Sequence, residues 1–142
     1  MPARCFALAP LPLILSACTP NDPAADAARD AAAIAAAPEA KVVGPAQNCI
    51  NRSQVRATVV RSDRVIDFEM NGGKVYRSTL PNRCIGLTFD RAIIYETSID
   101  QLCTQQIVYS LQNIGGVPQR GAGCSLGEFV PVEYVKQTKA ES

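Results

Sequence analysis

The chain has 142 residues, a formal net charge of +1, 19% charged residues, no tryptophan and no histidine. This length accommodates one ordinary domain. The lack of histidine excludes nucleophile–histidine catalysis and histidine-ligated zinc or haem. We expect no metal site and no cofactor. Residues 41–142 carry twelve basic and nine acidic side chains, which is too weak a basic excess to predict a nucleic-acid partner.

The first seventeen residues have the pattern of an export signal. A basic end at Arg4 precedes an apolar run from Cys5 to Leu15, which is too short for a membrane-spanning helix, and small residues follow. The sequence LSAC at 15–18 resembles the lipobox of bacterial lipoproteins. This resemblance implies cleavage after residue 17 and acylation of Cys18, with more than one acyl chain because a single chain anchors weakly. An ordinary secretory signal that releases a soluble periplasmic protein is the alternative.

Residues 18–44 are predicted to be a tether, either disordered or weakly helical. Between Thr19 and Ala40 the chain is rich in alanine, proline and acidic residues, and Ile34 is its one large apolar residue. Alanine favours a helix, but a helix without an apolar stripe has no surface to dock. In lipoprotein sorting, aspartate directly after the acylated cysteine favours the inner membrane. Thr19 therefore implies that the protein is anchored at the periplasmic face of the outer membrane.

Strand-like patterns begin after Cys49. Residues 54–60, 64–70 and 74–80 are rich in β-branched residues or alternate apolar with polar side chains. An Asn-Gly-Gly turn at 71–73 and a two-residue turn at 62–63 predict two hairpins. These turns predict the opposed pairs Phe68–Tyr76, Asp67–Arg77 and Arg56–Glu69. We expect the charged pairs to form a solvated sheet face.

The sequence after residue 90 predicts a third hairpin and a last strand. Residues 91–97 and 102–111 are expected to pair around a turn at 98–101, and the glycine-rich segment 114–123 is expected to be a loop. The strand at 128–135 contains Pro131, which predicts an edge position or a bulge. The expected fold is all-β, a small antiparallel meander or barrel of OB-like or SH3-like size. It spans residues 45–136, with a tail at 137–142.

Four cysteines remain for this domain when Cys5 and Cys18 are set aside. An even number in a small exported domain predicts two disulfides, and the absence of a Cys-x-x-Cys pair argues against zinc. A meander reverses direction at every turn, so each cysteine can be assigned to one of its two ends. Cys49 and Cys103 fall at one end, and Cys84 and Cys124 fall at the opposite end. Pairing cysteines that share an end predicts the disulfides Cys49–Cys103 and Cys84–Cys124.

Few residues suggest a catalytic or ligand-binding site. The segment GGVPQRGAG lacks the Gly-Lys-Ser/Thr ending of a phosphate-binding loop, and no catalytic residue is predicted. The acids Asp90, Glu96 and Asp100 could be offered as a carboxylate pair, but no pattern fixes their separation. We predict a binding face that combines arginines with tyrosines of the strands, and its members are Arg77, Arg83, Arg91, Tyr95 and Arg120.

The cysteines, the GGKVYRSTLPNRCIGL segment and the closing CSLGEFVPV, over about residues 49–132, resemble an uncharacterised family of small exported proteobacterial proteins. This resemblance implies an exported domain and no known activity. The expected function is that of a non-enzymatic outer-membrane lipoprotein, whose β-domain contacts an envelope protein or polymer. The alternative is a periplasmic module that inhibits an envelope hydrolase through the 115–123 loop.

Overall fold

The computed structural model describes residues 22–136, and its strands are antiparallel throughout. The predicted all-β class and both predicted disulfides, Cys49–Cys103 and Cys84–Cys124, are confirmed. Within this described range, the sheets do not close into a barrel. The predicted signal peptide, Cys18 and the predicted tail at 137–142 lie outside the described residues.

Within residues 22–136, two α-helices, one short 3-10 helix (Arg52–Gln54) and ten strands occur in chain order. The helices are α1 (Pro23–Ala35) and α2 (Leu87–Asp90). The first five strands are β1 (Ala40–Val42), β2 (Cys49–Asn51), β3 (Val55–Val60), β4 (Val65–Met70) and β5 (Val75–Thr79). The last five are β6 (Ile93–Ile94), β7 (Gln101–Cys103), β8 (Ile107–Ile114), β9 (Val117–Ser125) and β10 (Phe129–Tyr134).

These strands form three sheets. The largest has the order β1-β10-β5-β4-β3, the second pairs β2 with β7, and the third has the order β6-β8-β9. The consecutive strands β3, β4 and β5 form the predicted meander. In it, Phe68 lies opposite Tyr76 and Asp67 lies opposite Arg77, as the Asn-Gly-Gly turn predicted.

The register between β3 and β4 differs from the prediction by one residue. Glu69 lies opposite Ala57, because the turn holds three residues rather than two. The register shifts between Val55 and Ala57, which is a bulge at Arg56. Arg56 still reaches Glu69, with 2.8 Å between Nη2 and Oε2. The predicted ion pair therefore forms across a bulge.

The hairpin predicted for residues 91–111 forms only in part, since residues 93–94 pair with residues 109–110, and the loop predicted at 114–123 is wrong. The segment 102–111 is interrupted at residues 104–106, so β7 pairs with β2 while β8 pairs with β6. The segment 114–123 is a Gly-Gly turn followed by strand β9, which pairs with β8 along most of its length. Gly115 and Gly116 both have positive φ angles of 62° and 83°, so the glycines form a hairpin turn rather than a loop.

Strand β10 lies between β1 and β5, so the predicted edge position of Pro131 is wrong. Val43 donates its N–H to the Pro131 carbonyl at 3.0 Å, and proline has no N–H for the return bond. The chain then leaves β10 at Gly44 and pairs again where Gln47 and Phe129 exchange two hydrogen bonds of 2.9 Å. Pro131 therefore lies on the side of β10 where pairing with residues 40–47 is interrupted at Gly44.

The core lies between one face of the five-stranded sheet and the two smaller sheets. Alternation in β4 turns Ile66, Phe68 and Met70 into the core, where the Phe68 and Phe129 rings meet edge to face at 5.4 Å. The smaller sheets contribute fully buried side chains such as Leu102. Every sheet therefore supplies part of one apolar cluster.

The predicted tether contains both helix and strand. Asp22 caps α1 by accepting the Ala24 N–H at 3.0 Å, and α1 has no buried residue. An ion pair of 2.6 Å links Asp30 of α1 to Arg64. Strand β1 then pairs with β10, so the sheet begins at residue 40, within the segment predicted as tether.

Candidate functional site

A buried ionic cluster lies on the face of the five-stranded sheet opposite the core. Asp67 of β4 is 0% exposed. Arg77 donates from Nε and Nη2 to the two oxygens of Asp67, at 2.8 and 3.0 Å. Arg61 Nε and the Tyr134 hydroxyl each donate to Oδ2 at 2.9 Å. Arg77 also donates to the Pro38 carbonyl at 2.9 Å, which fastens the chain before β1 to the sheet.

The cluster keeps its groups in fixed protonation states. Burial alone would raise the pKa of Asp67, but the hydrogen bonds from Arg77, Arg61 and Tyr134 outweigh it, so its pKa lies below the ordinary value. Burial is also the main reason that the pKa of Tyr134 is raised. A carboxylate that stays ionised and a phenol that stays protonated do not exchange protons near neutral pH. The hydrogen bonds of the cluster join β4 to β5 and β10.

The prediction that these charges form a solvated sheet face is wrong for Asp67. Arg77 of β5 was correctly predicted to lie opposite Asp67. The additional partner, Tyr134, belongs to β10 and lies 67 residues further along the chain. Arg61 also donates to the Tyr134 hydroxyl, at 2.7 Å. A pattern within one hairpin cannot show that a third strand will cover it.

The structure does not bring the five predicted binding-face residues together. Arg77 belongs to the ionic cluster on the large sheet. Arg83 follows β5 and pairs with Asp63, with 2.8 Å between Nε and Oδ2. These two guanidinium groups are already occupied by carboxylates of the same chain, which leaves them less available to an anionic ligand.

The other three predicted members belong to the region of the three-stranded sheet. Arg91 is exposed and has a positive φ of 50° where α2 ends. Tyr95 packs against the apolar core. Arg120 forms an ion pair with Glu96 and lies over the Tyr109 ring, at 4.4 Å from its centroid. Arg120 thus braces β9 against its neighbours.

The three acids considered for hydrolysis have separate structural partners. Asp90 accepts the backbone N–H of Asn113 at 2.7 Å, which joins α2 to β8. Asp100 pairs with Arg52 at 3.3 Å, beside the two-stranded sheet. Glu96 is engaged by Arg120 as described above. This arrangement supports a structural role for each acid.

The two disulfides have different surroundings. Cys84 is 0% exposed, and both Cys84 and Cys124 belong to the apolar core cluster. Cys49 and Cys103 are partly exposed and join β2 to β7 as directly opposite residues. The sequence predicted both pairs but contained no signal for this difference in burial.

A group of large apolar side chains is exposed where α2 meets the β8–β9 turn. Phe89 is 77% exposed, and Ile114 and Val117, which flank the turn, are 56% and 58% exposed. Phe89 and Ile114 line the same shallow cleft. An exposed apolar group of this kind is typical of a protein-contact surface. Sequence reasoning missed it, because it placed Ile114 and Val117 in a loop.

A second cleft, of about 420 Å³, lies between residues 43–47 and the turn that joins β4 to β5. Its charged lining residues are Lys74 and Glu133. Within residues 22–136, no group of three metal-ligating side chains converges. Across the same range, no helix has the length and apolar character to cross a membrane.

Comparisons with known proteins leave the family open. No protein-family model matches the chain, and no curated protein or solved structure is significantly similar to it. The resemblance of residues 49–132 to a family of small exported proteins therefore stays an expectation from the sequence.

Proposed function

We propose that this protein is a non-enzymatic outer-membrane lipoprotein. In this proposal Cys18 carries the lipid anchor, and α1 with its flanking residues holds the β-domain on the periplasmic side. The domain contacts other envelope proteins.

The observation that carries the proposal is the pair of disulfides. All four cysteines of the domain are joined, Cys49 to Cys103 and Cys84 to Cys124. Disulfides of this kind persist in oxidising compartments such as the periplasm and are rare in the cytosol. They support an exported domain, and the lipobox at 15–18 supplies its expected anchor.

The surface chemistry favours a protein partner over an anionic polymer. Ion pairs with carboxylates occupy most arginines of the domain, namely Arg52, Arg56, Arg61, Arg64, Arg77, Arg83 and Arg120. The exposed apolar group around Phe89 offers contacts that a protein surface can match. Inhibition of a hydrolase through a 115–123 loop has less support, because this segment is a turn and a paired strand.

The anchor is tested by replacing Cys18 with alanine and fractionating the membranes. We expect Cys18→Ala to prevent acylation, so the protein leaves the outer-membrane fraction and stays uncut or becomes soluble. The matched control is Cys5→Ala, which removes the other cysteine outside the domain and should leave fractionation unchanged. A Cys18→Ala protein that still fractionates with outer membrane would contradict the anchor.

A second variant tests whether the protein is sorted to the outer membrane. Thr19→Asp places aspartate directly after the acylated cysteine and should move the protein to the inner-membrane fraction while it remains acylated. If Thr19→Asp stays in the outer membrane, the residue after Cys18 does not set the location.

A further inference from the structure

We propose that the Cys49–Cys103 disulfide is a thiol–disulfide exchange site for a protein dithiol, whereas Cys84–Cys124 is a permanent structural bond. The proposal concerns the folded domain and does not depend on the lipid anchor. It rests on strand register, exposure and an adjacent groove.

Strand register places Cys49 and Cys103 directly opposite each other. The next pair along the ladder, Asn48 and Thr104, is hydrogen-bonded, with 2.7 Å between the Thr104 nitrogen and the Asn48 oxygen. Pairs alternate in an antiparallel ladder, so the cysteines occupy a non-hydrogen-bonded position. The two cysteines therefore make no backbone hydrogen bond to each other, and the ladder bond beside them joins Asn48 and Thr104.

Exposure separates the two disulfides. An attacking thiolate must reach a sulfur atom from solvent, so access controls the rate of exchange. Cys49 and Cys103 are partly exposed on the two-stranded sheet. Cys84 is 0% exposed and Cys124 9% exposed, and both pack within the apolar core, so a thiolate gains free access to their bond when that core opens. Native-state attack is therefore directed to the first pair.

A groove of about 460 Å³ leads to Cys103. Residues 96–99 and 103–106 line it, and Ile99 in its wall is 60% exposed. Gln106 joins the two sides, since its Oε1 accepts the Cys103 N–H at 3.1 Å and its Nε2 donates to the Glu96 carbonyl at 3.4 Å. The groove offers an approaching protein an apolar contact and backbone beside the disulfide. The proposal assigns the attack to Cys103, because Cys103 is the cysteine that lines this groove.

The exchange balances as a two-electron transfer from the partner dithiol. One partner thiolate attacks the Cys103 sulfur, a mixed disulfide forms and Cys49 leaves as a thiolate. The second partner thiol, once deprotonated, attacks the partner's own sulfur in the mixed disulfide and releases the Cys103 thiolate. The two protons from the partner end on Cys49 and Cys103, and the partner is oxidised to a disulfide.

The reduced domain keeps its fold because other contacts hold the two strands. Ile50 and Leu102 face each other within the same ladder, and both are buried in the core. Reduction thus frees two thiols at the surface without opening the apolar cluster. Reduction removes the chain-entropy contribution of this cross-link but leaves the apolar contacts of the strand pair in place.

The first test treats the purified full-length oxidised chain with dithiothreitol under native conditions and alkylates the thiols over time. Peptide mass spectrometry should show Cys49 and Cys103 modified at least about tenfold faster than Cys84 and Cys124, because only the first pair is accessible without opening of the core. Equal rates, or faster reduction of Cys84–Cys124, would overturn the proposal. Glutathione, a monothiol, should form its first mixed disulfide on Cys103, and an adduct on Cys49 would contradict the assigned direction.

The second test uses reduced thioredoxin as a model protein dithiol. Ile99→Ser should slow reduction of Cys49–Cys103 by thioredoxin about tenfold or more while the dithiothreitol rate stays unchanged, because only a protein uses the groove wall. Val42→Ser is the matched control, as Val42 is similarly exposed at 59% but lies in β1 of the large sheet. An unchanged thioredoxin rate in Ile99→Ser would refute the groove as a docking site.

Discussion

Replacing Asp67 with asparagine is expected to lower the free energy of unfolding by about 3–5 kcal/mol, the usual result of removing one partner from a buried ionic network. The carboxylate is 0% exposed and accepts bonds from Arg61, Arg77 and Tyr134. An amide of the same size has one oxygen instead of two and no charge. The two guanidinium groups would stay in place without an anion. Urea unfolding followed by circular dichroism measures the change.

Glu69→Gln is the matched control for Asp67→Asn. Glu69 lies in the same strand and pairs with Arg56, but the Arg56 side chain is 63% exposed. Exposed pairs contribute about 0.2–1 kcal/mol, so the control should unfold close to the native protein. Equal losses in the two variants would show that burial does not set the energy of the Asp67 cluster.

The acid side of the stability curve provides a second readout of Asp67. Its folded pKa lies below the ordinary value of 3.8. The carboxylate therefore stabilises the fold at a pH above 3.8, and this contribution is lost as the pH falls through the lower folded value. Asp67→Asn should remove that part of the acid dependence, whereas Glu69→Gln should keep it. Identical acid dependence in the native protein and Asp67→Asn would contradict the assignment.

Removing the buried disulfide is expected to have a comparable effect. Cys84 and Cys124 are 40 residues apart in sequence, and closing a loop of that length stabilises a domain by about 4 kcal/mol in the chain-entropy model. The sulfur atoms also belong to the apolar core, so the double variant Cys84→Ala, Cys124→Ala loses packing as well. The total free energy of unfolding of a small domain is about 5–15 kcal/mol. We therefore expect a large fall in the urea midpoint.

The double variant Cys49→Ser, Cys103→Ser is the comparison for the buried pair. The loop it opens, 54 residues, is of similar size, so the loss from chain entropy is similar. The Cys49→Ser, Cys103→Ser variant does not lose apolar packing as the buried-pair variant does, because these cysteines are partly exposed. The buried-pair variant should therefore unfold at a lower urea concentration than this one. The reverse order would contradict the placement of Cys84 and Cys124 in the core.

Features set by local sequence were predictable. The Asn-Gly-Gly turn placed Asp67 opposite Arg77, because two positive-φ glycines define where the chain reverses. The disulfide pairs followed from which end of the strands each cysteine occupies. This parity held even though the 102–111 strand was predicted without its interruption, because Cys103 still lies beside β2.

Features set by distant strands were not predictable. The ionic cluster needs Tyr134 from β10, and no turn signal connects that strand to β4. Strand β9 was predicted as a loop because Gly121 and Gly123 are poor strand formers. In the structure these glycines fit closely against β8, and a Cβ at Gly121 would lie 2.4 Å from the Ser110 hydroxyl. Glycine in β9 thus marks close strand contact rather than a loop.

The most direct test of the lipoprotein proposal is mass spectrometry of the N-terminal peptide of the protein purified from membranes. The proposal predicts a chain that begins at Cys18 and carries a diacylglyceryl group on sulfur, together with an acyl group on the terminal nitrogen. A chain that begins at another residue, or a Cys18 with an unmodified thiol, would contradict it.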